Sequence, residues 1–268
     1  LDPVSQKVLD LIPLPNRTPT NAFTNSQNYQ TEVVPTTDSK QFHGRIDQHF
    51  GDSNLLFGRF SWFDHKPFQK QVIFPGDIFG RKDDMANKNV VISDTHTFSA
   101  TLINEFRIGV VRQYFTFQDA SYGQEWPRKL GLPESVAPDV IPTVDISGYT
   151  SVGYGIVGKR GTLNWNFQEM LTKVRGNHTL KAGFEHRLLE ASNRQTSNPS
   201  GNFTFNAALT GDIARPAGTG SSVASFVLGA VRSASIDQSQ GMTMNAYSTS
   251  AYIQDDWKAT RRLTLNLG

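Results

Sequence analysis

Apolar residues in this chain return at every second position, and that period builds strands, not helices. From Gln41 to Phe50 one side of an extended chain carries Phe42, Ile46 and Phe50, and the other carries His43, Arg45, Asp47 and His49. Gly51-Asp-Ser-Asn54 has the residue types of a tight turn, after which Leu56, Gly58, Phe60 and Trp62 alternate with Phe57, Arg59 and Ser61. The unit recurs from Val90 to Phe117 across Ser99-Ala-Thr-Leu102. It recurs again from Leu163 to Leu188 across Arg175-Gly-Asn-His178, and a fourth time from Ala246 through a turn at Lys258 to Arg261. Hairpins are therefore expected. In the fourth unit the alternation leaves the faces of 246–257 unassigned.

Helical spacing is confined to Val4, Val8, Leu11 and Ile12, ended by Pro13, and to Val223–Leu228. No run approaches the 18 or so apolar residues of a membrane helix. A membrane β-barrel needs only one greasy side per strand, so its average hydropathy looks soluble. The connections between hairpins are long, roughly Asp64 to Lys88, Gln118 to Gly161 and Glu190 to Asn245, with short strands expected at Asn202–Phe205 and Val231–Ile236. Short turns alternating with long loops are the layout of outer-membrane barrels. Aromatics at Phe50, Trp62, Phe63, Tyr114, Trp165 and Trp257 fall where strand ends and headgroup girdles are expected. Two other folds fit the same alternation: a secreted or surface β-sandwich binding glycan or protein, and a complete small eight-stranded barrel. Both termini read as cut, with no export signal at Leu1 and no cap after Gly268.

The composition closes off several chemistries. There is no cysteine, so thiolate zinc sites, disulfides and cysteine nucleophiles are excluded. Lys plus Arg is 26 and Asp plus Glu is 24, without blocks of one sign, which speaks against a nucleic-acid partner. Arg59, Phe60, Trp62 and Phe63 interleave base and aromatic, but a greasy face with Arg59 on the other side accounts for them better than a single-strand platform.

Gly153-Tyr-Gly-Ile-Val-Gly158 spells a dinucleotide fingerprint without the strand before and helix after that would make it one. His43 and His49 are about 20 Å apart on an extended strand and share no metal. His186 and Glu190 need helical spacing to converge. Asp83-Asp84 and Asp255-Asp256 diverge if extended, and read as solvated loop or rim carboxylates touching at most Ca²⁺. No cofactor is expected, and with no G-x-S-x-G or H-E-x-x-H motif the chain is not expected to be an enzyme.

The stretch Tyr252-Ile-Gln-Asp-Asp-Trp-Lys-Ala-Thr-Arg-Arg-Leu-Thr-Leu-Asn-Leu-Gly268 resembles the barrel of TonB-dependent outer-membrane receptors of the Oar-like group. So do Asp2-Pro-Val with Ile12-Pro-Leu-Pro-Asn16, Arg45-Ile-Asp-Gln-His49 with Leu56-Phe-Gly-Arg-Phe-Ser61, Asn104-Glu-Phe-Arg-Ile-Gly109, and Gly176 to Glu185, in order. The resemblance implies an all-β, antiparallel, up-and-down transmembrane barrel of about 22 strands, of which residues 1–268 are one part. No plug domain or energy-coupling box is visible in the chain. It further implies residence in the outer membrane of a Gram-negative-type bacterium, with lipid, a plug and the TonB complex as partners. The cargo would be carbohydrate, peptide or protein. The expected lumen-facing polar residues are His43, Arg45, Asp47, Arg59, Glu105, Arg107 and Lys181. The expected lipid-facing residues are Phe42, Phe60, Trp62, Phe106, Ile108, Trp165 and Phe184.

Overall fold

The computed structural model describes residues 1–21, 27–70, 78–215 and 218–268. The middle of the first long connection, 71–77, and residues 216–217 of the third lie outside the described residues. In chain order the strands are β1 (Thr36–Phe50), β2 (Asn54–Lys70), β3 (Gly80–Ser99), β4 (Leu102–Asp119), β5 (Thr143–Ile146) and β6 (Ile156–Arg175). They continue with β7 (His178–Ser197), β8 (Asn202–Phe205), β9 (Ser233–Ser235), β10 (Met242–Trp257) and β11 (Leu265–Leu267). Among the described residues three short α-helices, α1 (Pro3–Leu9), α2 (Trp126–Leu130) and α3 (Ser222–Val227), accompany them. None is long and apolar enough to cross a membrane.

Eight strands form one antiparallel sheet in the order β1-β2-β3-β4-β6-β7-β10-β11. Its hairpins close as the residue types require. Arg175 pairs with His178, so the turn between β6 and β7 is two residues long, and Gly176 takes φ +58°, the left-handed geometry such a turn needs at its first position. The strands run well past their predicted ends, to 20 residues in β3, β6 and β7. The reason is visible at Lys66, Gln69, Lys82 and Asp84: backbone pairing continues where both faces have become polar, so the apolar period that marks a strand has gone. The long connections shrink accordingly.

Among the described residues no second sheet packs across either face of this one, so the β-sandwich does not form, and the sheet does not close on itself. Its apolar side chains stand out from it: Ile46 is 76% exposed and Ile253 71%.

Buried core lies elsewhere, at the end of the sheet opposite the short turns. There α1, α2, α3 and a small sheet ordered β5-β8-β9 gather Val8, Phe79, Leu130, Ile141, Val144, Ile146, Val152, Phe205 and Phe226 into a cap. Asp2 caps α1 by accepting from the Ser5 amide (2.8 Å), and the Ser5 hydroxyl donates to the Phe226 carbonyl (2.6 Å), fixing α1 on α3. The rings of Phe205 and Phe226 meet edge to face at 5.2 Å. The expected helical turns and both expected short strands are thus present, and they build the cap.

Candidate functional site

Directly paired residues in an antiparallel ladder share a face, so the register carries each face from strand to strand. One row runs Gly44, Phe60, Val90, Val110, Trp165, Leu188, Tyr247 across β1, β2, β3, β4, β6, β7 and β10. The next row, on the opposite face, runs Arg45, Arg59, Val91, Gly109, Asn166, Arg187, Ser248. Phe42, Phe60, Trp62, Phe106, Ile108, Trp165 and Phe184 all fall on the first face. His43, Arg45, Asp47, Arg59, Glu105, Arg107 and Lys181 all fall on the second.

The faces of 246–257 follow from β7. Tyr252, opposite Gly183, and Gln254, opposite Lys181, lie with the polar set, while Ile253 and Asp255 lie with the apolar one. A Cβ at Gly183 would overlap the ring of Tyr252, so the missing side chain is the seat of that ring.

The polar face carries several hydrogen-bonded clusters. Glu185 is the hub of one: it accepts from Asn166 Nδ2 (3.1 Å), Gln168 Nε2 (3.4 Å) and Arg187 Nε. Lys181 pairs with Asp256 at 3.5 Å, and Gln254 Nε2 also donates to that carboxylate at 2.9 Å. Arg45 holds Asp47 (2.6 Å) and lies 4.4 Å over the ring of Phe57. A depression of about 680 Å³ opens here, lined by Asn89, Arg107, Asn164, Asn166 and Arg187 among others. The side-chain types can hydrate a passage and bind polar solutes. Glu185, Arg187 and Asn166 were not among the expected lumen-facing residues, although the alternation that places Lys181 places Glu185 and Arg187 too; Asp256, read only as half of a carboxylate pair, is placed by its pairing with Thr179.

Several expectations are corrected. Asp83 and Asp84 are not loop carboxylates: both lie within β3, where the faces separate them, Asp83 buried against Arg81 (2.6 Å) and Asp84 beside Lys66 (3.5 Å). Asp255 and Asp256 likewise sit in β10, bound to His178 (2.6 Å) and Lys181. Each of these carboxylates is thus engaged by a side chain of its own or a neighbouring strand. Among the described residues no three His, Asp or Glu side chains gather as a metal site. Phe63 belongs to the polar face, stacked on His65, and Trp62, Tyr114 and Trp165 lie inside strands, not at their ends.

The Gly153–Gly158 stretch leads into strand β6, not a helix. The amides of Tyr154 and Gly155, where a phosphate would sit, both donate to Asp119 Oδ2 at 3.0 Å. Asp119 also accepts from the Ser121 amide (2.8 Å) and hydroxyl (2.6 Å), so one buried carboxylate ties the end of β4 to the start of β6. Burial pushes this carboxyl above its ordinary range, against the pull of those hydrogen bonds.

Comparison with known proteins agrees with the architecture. The whole chain, residues 1–268, matches the family described as outer membrane beta barrel domain. No protein of curated function matches it in sequence. In three dimensions 87% of the chain superposes on the outer membrane transporter YddB from Escherichia coli, with a TM-score of 0.52 and 11% identity. The match covers 26% of that transporter, so the likeness concerns the fold of about a quarter of its length. A one-layer sheet with one apolar and one polar face, matched by this family from end to end, leads to one assignment: the chain belongs to the outer membrane beta barrel domain family and resides in the outer membrane of Gram-negative bacteria.

Proposed function

We propose that these strands are part of one barrel domain of a TonB-dependent receptor, a wall that admits a scarce ligand and performs no catalysis. The apolar face, with Phe42, Phe60, Trp62, Phe106, Ile108, Trp165 and Phe184, meets acyl chains. The polar face, with His43, Arg45, Asp47, Arg59, Glu105, Arg107 and Lys181, encloses water and rests against a plug. The observation that carries the reading is the register: across seven paired strands the two faces stay separate along the sheet, the recorded shift lying between Thr97 and Ser99 beside the β3–β4 turn. In a sheet without a second layer, exposed residues such as Ile46 and Ile253 are stable only in an apolar solvent.

Orientation follows from loop length, since barrels keep short turns on the periplasmic side. The cap then faces outward and offers the ligand its first contact. Carbohydrate, peptide or protein cargo is in keeping with a polar face of amides, carboxylates and guanidinium groups. The resemblance to Oar-like receptors and the likeness to an outer membrane transporter support the transport reading.

Two measurements test it. In the protein embedded in brominated-lipid vesicles, Trp62 and Trp165 should be quenched, and an absence of quenching means the faces are inverted. In cells, Phe60→Cys should resist a membrane-impermeant thiol reagent that labels Arg59→Cys, and equal labelling would end the reading. For energy coupling, the receptor extracted from outer membranes should bind the isolated periplasmic domain of TonB saturably, and failure to bind would remove TonB from the account.

A further inference from the structure

The apolar face carries an electrostatic imbalance at its loop end. Lys88 stands directly opposite Arg112, and two strands on, Lys159 stands directly opposite Arg194. Like charges facing each other across a ladder repel. Among the described residues none of these four side chains forms an ion pair, whereas nearby Lys66 is held by both Asp64 (3.3 Å) and Asp84 (3.5 Å). Arg112, Lys159 and Arg194 line a hollow of about 500 Å³, with Glu190 as its acidic member. Its floor is low because Gly161, between Tyr114 and Ser192, has no side chain to fill it; a Cβ there would come within 3.0 Å of Ser192 Oγ. Toward the short turns the same face continues as Val110, Trp165 and Leu188.

We propose that this hollow binds a phosphate of lipid A, the anchor of the lipopolysaccharide in the outer leaflet. The inference rests on the lipid-facing reading above. Given that reading, the hollow stands at the outer edge of the apolar rows, where a phosphorylated sugar headgroup sits while its acyl chains lie along Val110, Trp165 and Leu188. Arg112, Lys159 and Arg194 supply charge-assisted hydrogen bonds to the phosphate oxygens. One dianion in the hollow offsets the repulsion between Lys159 and Arg194 and meets the charge of Arg112, which a neutral headgroup cannot do.

The test uses the whole protein extracted from outer membranes into detergent, with bisphosphorylated lipid A as the probe. The wild type should bind it, and R112A/K159A/R194A should bind about ten-fold or more weakly, while R112K/K159R/R194K keeps the affinity. Lipid A stripped of phosphate should bind no better to the wild type than the intact lipid binds to the alanine variant. Equal binding of stripped lipid A, unchanged affinity in the alanine variant, or equal competition by phosphatidylglycerol or inorganic phosphate overturns the proposal. Should the alanine variant fail to assemble, salt decides on the wild type alone: affinity for the phosphorylated lipid must fall as ionic strength rises, and indifference to salt overturns the proposal. Quenching of Trp165 by brominated lipid in the same preparations separates the outcomes. Quenching without phosphate preference sinks this site only, and no quenching sinks the lipid-facing reading itself.

Discussion

The sheet and the cap obey opposite rules of burial. In the sheet, Ile46, Ile253 and Phe42 are 76%, 71% and 56% exposed, whereas in the cap Val8 and Phe226 are 2% and 1% exposed. Both regions come from one chain with 37% hydrophobic residues. On the lipid-facing reading proposed above the difference is one of solvent: the cap turns its apolar side chains inward, as any domain in water must, and the sheet leaves its own to acyl chains.

Perturbing the cap core should give the largest effect. Phe226→Ala leaves a cavity costing about 3–5 kcal/mol and should expose the cap to protease while the membrane-embedded strands stay protected. Loss of both together would show that cap and sheet fold as one unit. Next is Ile108→Arg on the apolar face, midway along β4 between the short turn and the Arg112 hollow, expected to cost about 2–4 kcal/mol, read by urea unfolding in vesicles. Asn166→Arg, one strand over on the polar face, should be tolerated. Equal penalties would erase the distinction between the faces.

Gly183→Val displaces Tyr252 and should cost about 1–3 kcal/mol by overpacking, again by urea unfolding, with Tyr252→Ala restoring part of the loss. The smallest effect concerns pH. Asp119 has its carboxyl raised by burial, so its favourable contribution to the cap is complete below the ordinary carboxylate range and is lost as pH rises through the raised value. Protease resistance of the cap should therefore decline over that window in the wild type, and Asp119→Asn should flatten the decline. A profile in which resistance instead falls on acidification would reverse the assignment.

The sheet was legible because its side-chain types change from one face to the other. Phe42, Ile46 and Phe50 against His43, Arg45 and Asp47 record that contrast residue by residue. It fails at 246–257, where Tyr252 and Gln254 share a side with each other and Ile253 shares one with Asp255, because each face there mixes apolar and polar types. Only the pairing with Gly183 and Lys181 settles them. Strand ends were illegible for a related reason: near Lys66 and Lys82 both faces are polar, and periodicity has nothing to report. The cap was seen only as scattered short segments, since its core joins Val8 to Phe226 and Phe79 to Ile141 across separations that no local pattern spans. The polar-face hub at Glu185 depends on geometry between β6 and β7, although its side of the strand was already fixed by alternation.

The length of the strands has a consequence for encounter with cargo. A tilted strand crosses lipid in about 9–11 residues, and β3, β6 and β7 each have 20. At about 3.3 Å per residue, the remaining portion lifts the cap by roughly 20 Å or more even when inclined. In the orientation proposed above, the cap is therefore carried on a turret that clears the nearest sugars of the cell surface. Bulky particles can touch it from the open medium without first threading through the brush beneath.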